Sequence, residues 1–206
     1  YASNTTGTFT DIKGNTHTGK IYAGFENPAN LNAAPVWYGD RINNNSLPNL
    51  VRHVYTLEGQ AIKPTSLFEW FFNMGNLETV DLRWIDSSEV KTMQEMFEAC
   101  RKVKAIDLSG FDTHNVTNMS EVFRHCEAAT VIDVSHFDTS NVTTMYNMFR
   151  ECNSVVRLDL SNFNTDKVTN MNAMFFNNSS LTELNIKNFN TSLVTDLDNF
   201  FGYSTD

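Results

Sequence analysis

The sequence predicts an α/β solenoid, with parallel strands on its concave face and short helices on its convex face. Three observations carry that expectation. The same residue types recur at a fixed step of 26 positions. Each copy contains a helix-like apolar stripe followed by a two-residue alternation. No insertion or deletion interrupts the array, so the copies can stack column on column.

The step is clearest in Cys100, Cys126 and Cys152. Phe71, Phe97, Phe123, Phe149, Phe175 and Phe201 repeat it, as do Val90, Val116, Val142, Val168 and Val194. Met93, Met119, Met145 and Met171 lead on to Leu197. Ile85, Phe111, Phe137, Phe163 and Phe189 form a further column. One clear copy, FDTSNVTTMYNMFRECNSVVRLDLSN, runs from Phe137 to Asn162. A half copy is visible from Leu67 to Trp84, and a truncated one from Phe189 onward.

Within a copy, Val142, Met145, Met148, Phe149 and Cys152 fall within about 120° of arc at helical pitch, which predicts a short helix. Leu158 and Leu160 alternate with Asp159 and Ser161, the period of a strand with one face buried. Between strand and helix lies Phe137–Asp138–Thr139–Ser140, where the Asp favours an Asx turn and the Thr can cap the helix that follows. Such a unit has too little core to stand alone, and stacking would let each copy cover its neighbours.

The composition changes near residue 65. All four prolines, Pro28, Pro35, Pro48 and Pro64, precede that point, as do most of the glycines. Residues 1–65 are therefore expected to form an N-terminal cap of short strands and loops, and residues 66–206 the repeat solenoid. Strands are expected around Thr8–Ile12, Lys20–Phe25, Val36–Tyr38 and Leu50–Leu57. The chain starts at Tyr1 rather than Met, as a processed fragment would.

A net charge of −9 argues against nucleic acid and anionic lipid as partners. No apolar run reaches the roughly 18–20 residues needed to span a membrane. The sequence lacks the zinc and redox CxxC pair, the phosphate-binding glycine loop, GxSxG and HExxH. No cofactor, metal site or catalytic set is therefore expected, and the chain is read as no enzyme. Cys126 could be paired with His125 or His136 as a nucleophile. Its column falls on the inward stripe, however, so the cysteines are expected to be buried free thiols.

The expected ligand-binding residues lie on the concave face. Asp81, Asp107, Asp133 and Asp159 sit between inward strand positions, stacked at about 4.8 Å. Like charges at that spacing need compensation. Three readings stay open: a locally hydrogen-bonded ladder, a calcium site, or contact with a basic partner. Trp84, Arg157 and His136 are assigned to the same face. Trp84 is either a contact anchor or a cover for the cap junction.

Val155, Leu158, Leu160 and Phe163 resemble a leucine-rich repeat with Phe where Asn often stands. The full motif, FDTSNVTxMxxMFxxCxxLxxLDLSx, resembles the BspA-type leucine-rich-repeat surface proteins over about Leu67 to Asp206. The chain departs from that pattern at Asn178, Ala105 and Val131. The resemblance implies a right-handed leucine-rich-repeat array, secreted or attached to a bacterial surface. It also implies adhesion to a host or neighbouring-cell protein, to matrix or to a glycan. The expected product is a monomeric adhesin ectodomain; the alternative is a stiff spacer within a larger surface protein.

Overall fold

The computed structural model describes residues 2–10, 16–22, 51–56 and 62–202. Strands β1 (Ala2–Thr10) and β2 (Thr16–Tyr22) form an antiparallel hairpin. They take in the described parts of the first two strands expected near the N-terminus; Val36–Tyr38 lies outside the described residues. The strands β3 (His53–Tyr55), β4 (Thr79–Asp81), β5 (Ala105–Asp107), β6 (Val131–Asp133), β7 (Arg157–Asp159) and β8 (Glu183–Asn185) follow, one per repeat.

The strands pair in parallel as β3–β4, β5–β6 and β7–β8, with His53 opposite Thr79, Ala105 opposite Val131, and Arg157 opposite Glu183. Each pairing is offset by the repeat length. A second line of parallel bridges joins Thr92, Asn118, Thr144, Asn170 and Asp196. The units therefore stack in register on two sides.

The interior consists of the columns read in the sequence. Phe97, Phe123, Phe149 and Phe175 are fully buried, with successive ring centroids 6.1, 5.4 and 5.8 Å apart and nearly parallel planes. A second stack links Phe137, Phe163 and Phe189 at 6.5 and 6.4 Å. Offset ring contact adds to the burial of each ring. Towards the end of the array the cover thins, and Phe201 is 50% exposed.

The expected helices are not present among the described residues; two successive turns occupy each of those segments. In one unit the N–H groups of Met96 and Cys100 donate to the carbonyls of Met93 and Phe97, three residues back. The N–H groups of Met93, Glu95, Phe97 and Ala99 instead donate to Asn118, Ser120, Val122 and Arg124 of the next unit, at 2.8–3.0 Å. The same alternation recurs at every unit from Leu67 to Asn177. A helix would tie each N–H to a carbonyl four residues back; here half of them hold the neighbouring unit.

This path needs a left-handed residue at the third place of each turn, as in a type II turn. Glu69, Glu95, Glu121, Asn147, Ala173 and Asn199 fill that place in the first turn, and Asn73, Ala99, His125, Glu151 and Asn177 in the second, all with φ of 51–60°. Asn73 is exposed, so substitution there isolates the backbone contribution. Asn73→Val is expected to cost about 1–2 kcal/mol, and Asn73→Gly to stay within about 0.5 kcal/mol of the parent. Urea unfolding of the three proteins measures this. A helix would give the reverse order, because Gly is the poorer helix former.

The Asx turns expected before these segments are present. Asp112, Asp138, Asn164 and Asn190 each accept the N–H two residues on, at 2.9–3.1 Å. The Thr beside them is not a helix cap. Thr113, Thr139 and Thr165 are buried, and each hydroxyl both accepts an N–H from the following unit and donates to the carbonyl of that same residue.

Candidate functional site

The outer side of the strands is built by alternation. Ile106, Ile132 and Leu158 point inward and are buried, so the residues on either side of each point outward. One outward row is Thr79, Ala105, Val131, Arg157 and Glu183; the other is Asp81, Asp107, Asp133, Asp159 and Asn185. Pairing brings Asp107 directly opposite Asp133, and Asp159 opposite Asn185.

The aspartate row is held locally. Oδ1 of Asp107 accepts the N–H of Ser109 at 3.0 Å and its hydroxyl at 2.7 Å, and Asp133 accepts the same pair from Ser135. Asp159 accepts the N–H of Ser161 at 2.9 Å. The Ser135 hydroxyl, then its N–H, lowers the pKa of Asp133, and Ser161 does the same for Asp159. Both remain charged at neutral pH. Asp81 is neutralised by Arg83, whose Nε lies 3.0 Å from both carboxylate oxygens. Local bonds thus commit one oxygen each of Asp107, Asp133 and Asp159, and both oxygens of Asp81. The second oxygen of Asp107 and of Asp133 has no partner among the described residues.

Arg157 stands in the neighbouring row, with Nη2 2.7 Å from Glu183, and both side chains are open to water. A shallow depression over β7 and β8 is lined by Arg157, Asp159, Thr182, Glu183 and Asn185. His136 is exposed, with Nδ1 3.0 Å from the Ser135 hydroxyl, so it joins the aspartate row through Ser135. Trp84 lies two units away from His136, is 39% exposed, and donates its backbone N–H to the Thr56 hydroxyl. The face therefore brings the aspartates, Arg157 and His136 into one strip and leaves Trp84 at its beginning.

Two exposed apolar residues mark the middle of the strip: Val131 at 57% and Val156 at 48%. Val156 was not among the expected contact residues, because it precedes the alternating segment. Its column of Glu78, Lys104, Thr130, Val156 and Thr182 is the available sign of an outward position.

The cysteine column is buried as expected. Each thiol donates to a backbone carbonyl of the preceding unit: Cys100 to Phe71, Cys126 to Phe97 and Cys152 to Phe123, at 3.1–3.3 Å. Burial pushes all three thiols above their ordinary pKa, so they are poor nucleophiles. At the fourth position Asn178 accepts the N–H of Cys152 at 2.8 Å. Among the described residues, no three His, Cys, Asp or Glu side chains are placed to hold a metal ion. Nor does any helix among them have the length and hydropathy to cross a membrane.

Short parallel strands, in-register columns and an outward strip of fixed side chains define a repeat protein built from 26-residue units. The model of the family described as Mycoplasma protein of unknown function, DUF285, matches residues 65–157 and again residues 123–206. The chain belongs to this family, and the two overlapping matches follow from its internal repetition. No curated protein and no solved structure matches the chain.

Proposed function

We propose that the array is a non-catalytic binding module on the outside of a bacterial cell, an adhesin ectodomain of the BspA-type leucine-rich-repeat kind. In this reading the units wind as a right-handed solenoid with the strands on the concave side. The partner is a protein or glycan of a host or neighbouring cell, or of the matrix between them.

The observation that carries the reading is the strip around Val131. Exposed Val131 and Val156 lie beside Asp107, Asp133 and Asp159, which local hydrogen bonds hold in place. Fixed side chains lose little freedom on binding, which favours affinity spread over many weak contacts. An acidic strip on a chain of net charge −9 suits a partner with basic groups, with encounter rates that fall as salt rises.

The test is display of this segment on non-adherent bacterial cells, followed by adhesion to immobilised matrix proteins, mucin and partner cells. Displaying cells should adhere better than bare cells, with adhesion decreasing at higher salt. The double change Val131→Lys and Asp133→Lys should weaken binding at least tenfold, equivalent to about 1.4 kcal/mol. Equal adhesion of displaying and bare cells would sink the proposal and leave the spacer role.

A further inference from the structure

We propose that Glu98 keeps its proton where it packs against Glu121 and Arg124, and that this cluster is a pH-sensitive latch between the units 77–102 and 103–128, tight in weak acid and looser in alkali. It lies on the turns, away from the strand strip, and does not depend on the adhesin reading.

The turns place these groups together. Glu98 is the second residue of its turn, flanked by Phe97 and Ala99, whose N–H groups donate to Val122 and Arg124 of the next unit at 2.9 and 2.8 Å. Arg124 therefore stacks beside Glu98. Its Nη1 lies 3.2 Å from Glu98 Oε1 and 2.6 Å from Glu121 Oε2. Both carboxyl groups are largely buried, with side-chain exposures of 12% and 14%.

The charges do not balance without a proton. Two carboxylates and one guanidinium leave a net negative charge in a poorly solvated place, and burying unpaired charge is costly. On the same unit as Glu98, Glu95 adds negative charge, and its Oε1 accepts a hydrogen bond from Gln94 at 2.7 Å. On the preceding unit, buried Glu69 occupies the column of Glu95. On the following unit, the Tyr146 phenol acts on Arg124. Other nearby groups do not supply the missing charge: Arg150 bonds Glu151 at 3.3 Å and covers the Phe176 ring, and His125, 2.9 Å from Glu151, has its pKa lowered by burial and is neutral at neutral pH. A proton on Glu98, donated to Glu121, supplies the missing positive charge.

Burial first, and then the charge of Glu121, push the Glu98 carboxyl up to about 8, against the opposing pull of Arg124. In the unfolded chain Glu98 loses its proton in the ordinary glutamate range, while the folded chain keeps it until about 8. Between those limits the folded state binds the extra proton. This contribution is therefore complete below the ordinary range and is lost as pH rises towards 8.

The test is urea unfolding of the whole chain across that window, in the parent and in Glu98→Gln. One proton makes the unfolding constant of the parent rise by up to about tenfold per pH unit. In Glu98→Gln this part of the slope should vanish, because the amide donates to Glu121 at every pH. Exchange protection of the Phe97 and Ala99 amides, corrected for intrinsic rates, should fall in alkali in the parent and not in the variant. An unchanged slope in Glu98→Gln overturns the latch. If that variant does not fold, infrared spectra of the parent decide. A protonated-carboxyl stretch at neutral pH that disappears above pH 8 supports the latch, and its absence at neutral pH overturns it.

Discussion

Phe149→Ala is expected to lower the stability of the array by about 3–5 kcal/mol, measured by urea unfolding. Phe149 is fully buried, and its ring stacks on Phe123 at 5.4 Å and on Phe175 at 5.8 Å, so the change opens a cavity between two junctions at once. A backbone held at Phe149 N–H by Met174, and at Phe123 N–H by Met148, leaves little room for collapse into that space. Phe201→Ala belongs to the same column and serves as the comparison. Its side chain is half exposed, so the expected cost is about 1 kcal/mol. Equal losses at the two positions would mean that the Phe column is not a continuous interior.

The difference follows from the way units share their bonds. In a stack of repeats each unit contacts only its neighbours, so a defect at an interior junction removes contacts on both sides. Leu193, Leu197 and Phe201 have less cover among the described residues, so a change at Phe201 removes less buried contact.

The strands and their register were legible because two independent signals agreed. Alternation placed Ile106, Ile132 and Leu158 inward, and the fixed step placed Ala105 opposite Val131 and Arg157 opposite Glu183. The turns were not legible, for a geometric reason. Two four-residue turns bring Met145, Met148, Phe149 and Cys152 inward, and a helix of the same length buries the same four residues. Over eight residues a period of 4 and a period of 3.6 coincide. The distinguishing feature is the left-handed place, and there the sequence is nearly silent, since Glu, Ala and His stand where Gly would have announced a turn. Asn73, Asn147, Asn177 and Asn199 are the residues whose chemistry hints at it. The outward strip was legible in its aspartates, Arg157 and His136. The buried carboxyl pair was not, because Glu98 and Glu121 occupy different positions of the repeat and come together around the side chain of Arg124 from two units.

Thr139→Val is expected to cost about 2–3 kcal/mol. The buried hydroxyl accepts the N–H of Asn164 at 2.8 Å and donates to the carbonyl of Asn164 at 2.8 Å, so it closes a small ring between two units. Valine has nearly the same shape and fills the same space, but it leaves both backbone groups without that partner. The neighbouring Thr143→Val should cost less than about 0.5 kcal/mol. Thr143 is exposed, and the Thr117 carbonyl that its hydroxyl meets at 3.1 Å keeps the Thr143 N–H at 2.9 Å. Thr139→Asp separates the clamp from a helix cap. Aspartate is among the best caps, so a cap would tolerate it. A carboxylate cannot donate to the Asn164 carbonyl and would be buried without a counter-charge, so the clamp predicts a loss at least as large as that of valine. Thr139→Ser retains both bonds and should recover most of the stability. Near-parent stability in Thr139→Asp would show that the hydroxyl does not join the units, and that each segment holds its own turn.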